Sequence, residues 1–182
     1  TGSADMTLSG NDATEDQDRT VRVWDLQSGT EYRTFRPNSG FVRAVAFSPL
    51  GTHVVSGVWN SDQGGKVQLW NLDTGTAEST FFGPTDIISA VGFSPDAKQI
   101  FATSWDLTLR VWDLETRNEA QRFQGHENRV LDLAVSQNGE YVLTSTGNVG
   151  NRLPEPDSDE ATDPSLWMWD LHFPIMHPWM QV

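Results

Sequence analysis

The sequence predicts an all-β chain assembled from repeated units of four short antiparallel strands. Three observations carry this. A tryptophan-centred strand recurs four times, at separations of 46, 42 and 57 residues. A second, apolar strand running into a Ser/Pro/Asp/Gly turn recurs in phase with it three times. The tryptophan segments alternate apolar with other side chains, the period of a strand and not of a helix.

The tryptophan strands are Thr20-Val-Arg-Val-Trp24-Asp25-Leu26, Lys66-Val-Gln-Leu-Trp70-Asn71-Leu72, Thr108-Leu-Arg-Val-Trp112-Asp113-Leu114 and Ser165-Leu-Trp-Met-Trp169-Asp170-Leu171. Turn-forming residues follow the first three: Gln27-Ser28-Gly29, Asp73-Thr74-Gly75 and Glu115-Thr116-Arg117. The apolar strands begin at Val42, Ile88 and Val130 and end in Phe47-Ser-Pro-Leu-Gly51, Phe93-Ser-Pro-Asp-Ala97 and Val135-Ser-Gln-Asn-Gly139. Such turn clusters punctuate strands. A third strand follows each turn, over 53–57, 99–104 and 141–146, and segments such as 77–82 and 119–123 supply a fourth.

Four strands per roughly forty residues, closing on Trp-Asp, resembles the WD-repeat β-propeller family. The resemblance covers nearly the whole chain. It implies rigid blades that carry partner-binding loops on their rims. It also implies a hydrogen-bonded cluster in each blade: a His from a Gly-His pair, a Ser or Thr on the second strand, a turn Asp and the Trp (Trp24, Trp70, Trp112 and Trp169 here). Only Gly125-His126 keeps the pair; Pro37-Asn38 and Gly83-Pro84 stand at the matching positions. The turn Asp lies six residues before the Trp as Asp18, Asp106 and Asp163, with Gly64 in the second repeat. The last repeat is therefore expected to build the whole cluster from His126, Ser145 or Thr146, Asp163 and Trp169. The third builds it without His, and the second barely at all.

The expected division is one partial propeller over 1–182: a partial blade at 1–36, blades at 37–82, 83–123 and 124–171, an acidic insertion at 147–162 within the last, and a Pro-rich apolar tail at 172–182. A blade cannot bury both faces alone. If each open end face hides about 500 Å², exposure costs on the order of 10 kcal/mol. Further blades, on a longer chain or on a second chain, are thus expected to complete the ring.

Formal net charge is -13, from 12 basic and 25 acidic residues. Scattered Lys and Arg give no phosphate-neutralising footprint, so a nucleic-acid partner is not expected. No membrane-spanning apolar run and no signal peptide are visible. The family default is a cytoplasmic setting. With no cysteine, disulfides, thiolate metal sites and cysteine nucleophiles are excluded.

Two acidic loops exceed the template, at about 5–17 and 147–162. One reading makes Asp12, Glu15, Asp16, Asp157, Asp159 and Glu160 an acidic rim for a basic partner. The other makes them solvated loops. Calcium binding at Asp157-Ser-Asp159-Glu160 lacks the spacing of a twelve-residue calcium loop. A smaller insertion carries Trp59, read either as an exposed interface anchor or as packing over a blade end. The tail, with Pro174 and Pro178, is not an ordinary fourth strand; it packs across the blades or docks on a neighbour.

No phosphate loop, nucleophile elbow or zinc-type histidine spacing is present. The expected function is a non-catalytic protein-interaction scaffold without cofactor or metal, binding other proteins through rim loops within a multiprotein assembly. The alternatives are a regulatory or sensor module of a larger signalling protein, and a propeller that binds a divalent metal or small ligand.

Overall fold

A computed structural model describes residues 2–3, 19–147 and 166–172 of the chain, and among these residues it holds fourteen strands. They are β1 (Gly2–Ser3), β2 (Val21–Trp24), β3 (Glu31–Phe35), β4 (Phe41–Phe47), β5 (His53–Asn60), β6 (Gly64–Asn71), β7 (Ala77–Phe82), β8 (Ile88–Phe93), β9 (Gln99–Ser104), β10 (Leu109–Asp113), β11 (Glu119–Phe123), β12 (Val130–Val135), β13 (Tyr141–Thr146) and β14 (Leu166–Asp170). Every pairing among the described residues is antiparallel between chain neighbours, a pattern that short turns such as those inside the second and third sheets allow. Four sheets result: β1-β2-β3, β4-β5-β6-β7, β8-β9-β10-β11 and β12-β13-β14. This is an all-β, partial propeller array. Among the described residues it does not close into a ring.

The repeat is three-dimensional, down to its irregularities. The register slips between Val42 and Ala44, between Ile88 and Ala90, and between Val130 and Asp132, at the same place in each inner strand. It slips again just before Trp24, Trp70 and Trp112, where the third strand meets the fourth. Such bulges sharpen local twist.

The residue after each tryptophan has a definite task. Asp25 Oδ1 accepts from the backbone N–H groups of Gln27 (2.7 Å) and Ser28 (3.0 Å). Asn71 Oδ1 does the same for Asp73 and Thr74, Asp113 for Thr116 and Asp170 for His172. The acid of the Trp-Asp pair thus folds the next turn by mimicking a backbone carbonyl. Asn71 serves equally, because the task needs an acceptor and not a charge.

The core lies between sheets. Val21, Val23 and Phe35 of the first sheet pack on Val54, Trp70 and Leu72 of the second. Val55, Val67, Leu69 and Phe81 of the second pack on Ile88, Val91, Phe93, Ile100 and Trp112 of the third. Phe101, Leu109, Val111 and Phe123 of the third pack on Val142 and Trp169 of the fourth. Full burial of each such side chain is worth about 1.5–3 kcal/mol, so no sheet holds its core alone. An aromatic step recurs: Phe35 on Trp70, Phe81 on Trp112 and Phe123 on Trp169, with centroids 5.2, 5.9 and 5.2 Å apart. Side-chain clasps reinforce all three junctions, Arg117 donating to Glu78 at 2.8 Å between the second and third sheets. Arg33 donates to the carbonyls of Leu72 and Asp73, and Gln121 to that of Leu171.

Candidate interaction rim

The tryptophan seats differ from the sequence expectation in instructive ways. Trp169 Nε1 donates to Thr144 Oγ1 at 2.8 Å, and His126 Nε2 lies 3.1 Å from the same oxygen. Thr144, and not Ser145 or Thr146, therefore carries the cluster hydroxyl. The register explains it. Trp169 pairs with Val142 and its indole reaches two residues along β13, to the next side chain on that face. Ser145 points to the opposite face. The same geometry joins Trp70 Nε1 to Ser56 Oγ at 2.9 Å, so the second repeat has the bond that its missing Asp and His seemed to deny it. In the third sheet the equivalent position is Ala102, which offers no hydroxyl to Trp112.

Asp106 is occupied elsewhere. Its carboxylate accepts from the backbone N–H of Thr85 (2.9 Å) and the hydroxyl of Thr108 (2.6 Å), and lies 3.5 Å from Arg110 Nη2. Arg110 also meets Glu119 at 3.0 Å. Gly83 makes room for this pair: its φ is +143°, and a Cβ there would lie 2.7 Å from Arg110 Nη1. Burial pushes the Glu119 carboxyl up, but hydrogen bonds and charge from Arg122 and Arg110 outweigh it and hold the group below its usual range. Asp18 and Asp163 lie outside the described residues.

His126 sits edge-on to Trp167 and Trp169, 5.1 Å from each ring centre. Burial lowers its pKa to about 4, so the imidazole is neutral. Its Nδ1 is buried with no hydrogen-bond partner among the described residues.

One edge of the array gathers aromatic and cationic side chains. It holds the turns after β5 and β9 and the links entering β4, β8 and β12; β13 ends there and β14 begins there. Trp59 pairs in register with Phe41, which is exposed. Trp105 stands at the matching place in the next sheet, its backbone N–H donating to the Ile87 carbonyl. Arg129 lies over the Trp105 ring at 4.3 Å and Arg19 over the Phe41 ring at 4.6 Å. Trp59 is half-buried, between the two readings given for it. Phe41, Trp105 and the two arginines were not singled out from sequence. Aligning the repeats on their strand ends would have set Trp105 beside Trp59. Asp12, Glu15, Asp16, Asp157, Asp159 and Glu160 lie outside the described residues, as does the tail from 173. Among the described residues no helix is long and apolar enough to cross a membrane.

Comparison with known proteins gives a family match: the WD domain, G-beta repeat model fits residues 29–71, 75–113 and 117–151. Relatives match in part. Coronin-7 of Mus musculus is 39% identical over 57 residues, 31% of this chain and 6% of that protein. DDB1- and CUL4-associated factor 13 of Dictyostelium discoideum is 42% identical over 50 residues, 28% of this chain and 11% of that protein. Transcription initiation factor TFIID subunit 5 of Caenorhabditis elegans is 51% identical over 39 residues, 21% of this chain and 6% of that protein. The matched segments span about a tenth or less of these curated relatives.

Proposed function

The chain belongs to the WD40 repeat family, and from that premise we propose that it is a non-catalytic scaffold that binds other proteins through the rim carrying Trp59, Phe41 and Trp105. WD40 repeats generally mediate protein–protein contacts within assemblies. The observation that carries the reading is the set of aromatic rings on one edge, flanked by Arg19 and Arg129, with Phe41 and Trp59 on paired strands and Trp105 in the turn after β9. Aromatic and arginine side chains dominate interface energy when a partner desolvates them. Rigid strands beneath lower the entropy lost on binding. In this reading the blades divide at 1–36, 37–82, 83–123 and 124–171. The acidic residues Asp12, Glu15, Asp16, Asp157, Asp159 and Glu160 add a second element suited to a basic partner.

Quantitative capture of interacting proteins tests this, comparing wild type with the Phe41→Ala/Trp59→Ala double variant. Loss of two anchors is expected to weaken the principal contacts at least ~30-fold, with the circular dichroism spectrum unchanged. Equal capture by wild type and variant sinks the rim. Charge reversal of the acidic residues tests the second element separately: if capture is insensitive both to reversal and to salt, the basic-partner part fails.

A further inference from the structure

We infer that Ser39 is a phosphorylation site and that its phosphate seats on the buried ammonium of Lys66. Among the described residues only two permanently charged side chains are buried, Lys66 at 7% and Arg110 at 5% exposed. Buried charge is costly unless an opposite charge answers it. Arg110 meets two carboxylates, those of Asp106 and Glu119. Lys66 forms no ion pair among the described residues; its Nζ donates to the neutral hydroxyl of Ser39 at 3.1 Å. The neighbouring sheet shows the contrast. Thr85 stands three residues before Ile88 as Ser39 stands three before Val42, and both inner strands bulge there. The Thr85 hydroxyl lies 3.5 Å from the Asp106 carboxylate, which in turn reaches Arg110. Hydroxyl, anion and buried cation thus stand in a row in the third sheet. In the second sheet the hydroxyl meets the cation directly, and a phosphate on Ser39 Oγ supplies the anion.

The segment around Ser39 suits a kinase that selects basic residues. In this sequence Ser39 is the one serine or threonine with a lysine or arginine three residues before it, as Arg36-Pro-Asn-Ser39. Arg36 and Asn38 are exposed and Ser39 is half-buried. Pro37, Asn38 and Ser39 link β3 to β4 and make no backbone–backbone hydrogen bond among the described residues. Little therefore holds the link against the local opening that a kinase requires. In the reaction Ser39 Oγ attacks the γ-phosphorus of ATP. The Oγ–P bond forms and the bond from that phosphorus to its bridging oxygen breaks. ADP leaves with the electron pair, and the hydroxyl proton passes to the kinase's catalytic carboxylate. The link gains about 1.5 to 2 negative charges. Ser39 lies two residues from Phe41, so this charge arrives beside the rim aromatics; the site itself does not depend on what the rim binds.

The test treats the whole folded chain with ATP, Mg²⁺ and a calmodulin-dependent protein kinase, which selects an arginine at that spacing. Mass spectrometry is expected to find a single phosphate on Ser39, and none in Ser39→Ala. Thermal unfolding then reads the seat. Phosphorylation of the wild type is expected to raise the unfolding midpoint by at least about 2 °C. In phosphorylated Lys66→Thr the rise is expected to vanish, and in Lys66→Arg to persist. Thr20 and Thr108 stand four residues before their tryptophans as Lys66 does, so the threonine belongs to the repeat. Should Lys66→Thr fail to fold, Lys66→Met takes its part. A folded chain that stays unmodified at Ser39 overturns the inference. So does phosphorylation that leaves the midpoint unchanged or lowers it, or a rise that survives the loss of Lys66.

Discussion

The hydroxyl beneath each indole decides how well a tryptophan is seated. An indole N–H with no side-chain acceptor forgoes a hydrogen bond worth about 0.5–1.5 kcal/mol net. Trp70 and Trp169 have that acceptor in Ser56 and Thr144, whereas Ala102 stands in its place beneath Trp112. Ala102→Ser is expected to raise the unfolding free energy by about 1 kcal/mol, read from the denaturant midpoint; a lower midpoint would refute the assignment. His126 carries a pH prediction. Its folded pKa, about 4, is below the ordinary 6.5 because of burial. Between those values the unfolded chain binds a proton that the folded chain refuses. Stability is therefore full above about pH 6.5 and falls as pH drops toward 4, by up to about 3 kcal/mol. Carboxylates held low, such as Glu119, add their own loss at more acidic pH. Subtracting the profile of His126→Gln isolates the histidine; a difference that stays flat across the window would show that burial is not what shifts it.

At the scale of the element, turn chemistry sets each strand's exit. After the inner strands, the turn ends in a left-handed residue: Gly51 at φ +67°, Gly139 at +73° and, between them, Ala97 at +57°. Only Ala97 has a Cβ to strain there. Ala97→Gly is thus expected to stabilise by about 0.5–1 kcal/mol, measured by thermal and urea unfolding; destabilisation would mean that the loss of unfolded-state freedom wins. Strands and turns of this kind were legible in the sequence because their signals are local: alternation, Ser-Pro-Asp, Trp-Asp. What the sequence hid was pairing. Choosing Thr144 over Ser145 needs the register of β13 against β14, a non-local quantity. The rim was read from sequence only at Trp59, since the pairing of Phe41 with Trp59 and the stacking of Arg129 on Trp105 join residues from different parts of the chain. The role of Asp106 was misplaced for the same reason. Its partners Thr85 and Arg110 belong to a link and a strand that no cluster template joins.

At the scale of the whole molecule, stability is shared between neighbours, because each hydrophobic cluster draws on two sheets. A repeat array of this kind is governed by its junctions more than by its units. That explains how a chain with net charge -13 tolerates wide divergence in its individual blades: His, Asp and hydroxyl come and go while the apolar faces persist. The Phe-on-Trp step has a temporal meaning as well. Phe35, Phe81 and Phe123 each precede in the chain the tryptophan they cover. Synthesis runs from the N-terminus. Each of these three tryptophans thus leaves the ribosome after its lid has already been made, and each of their sheets meets a finished surface to settle on, so the order of translation is also the order of assembly.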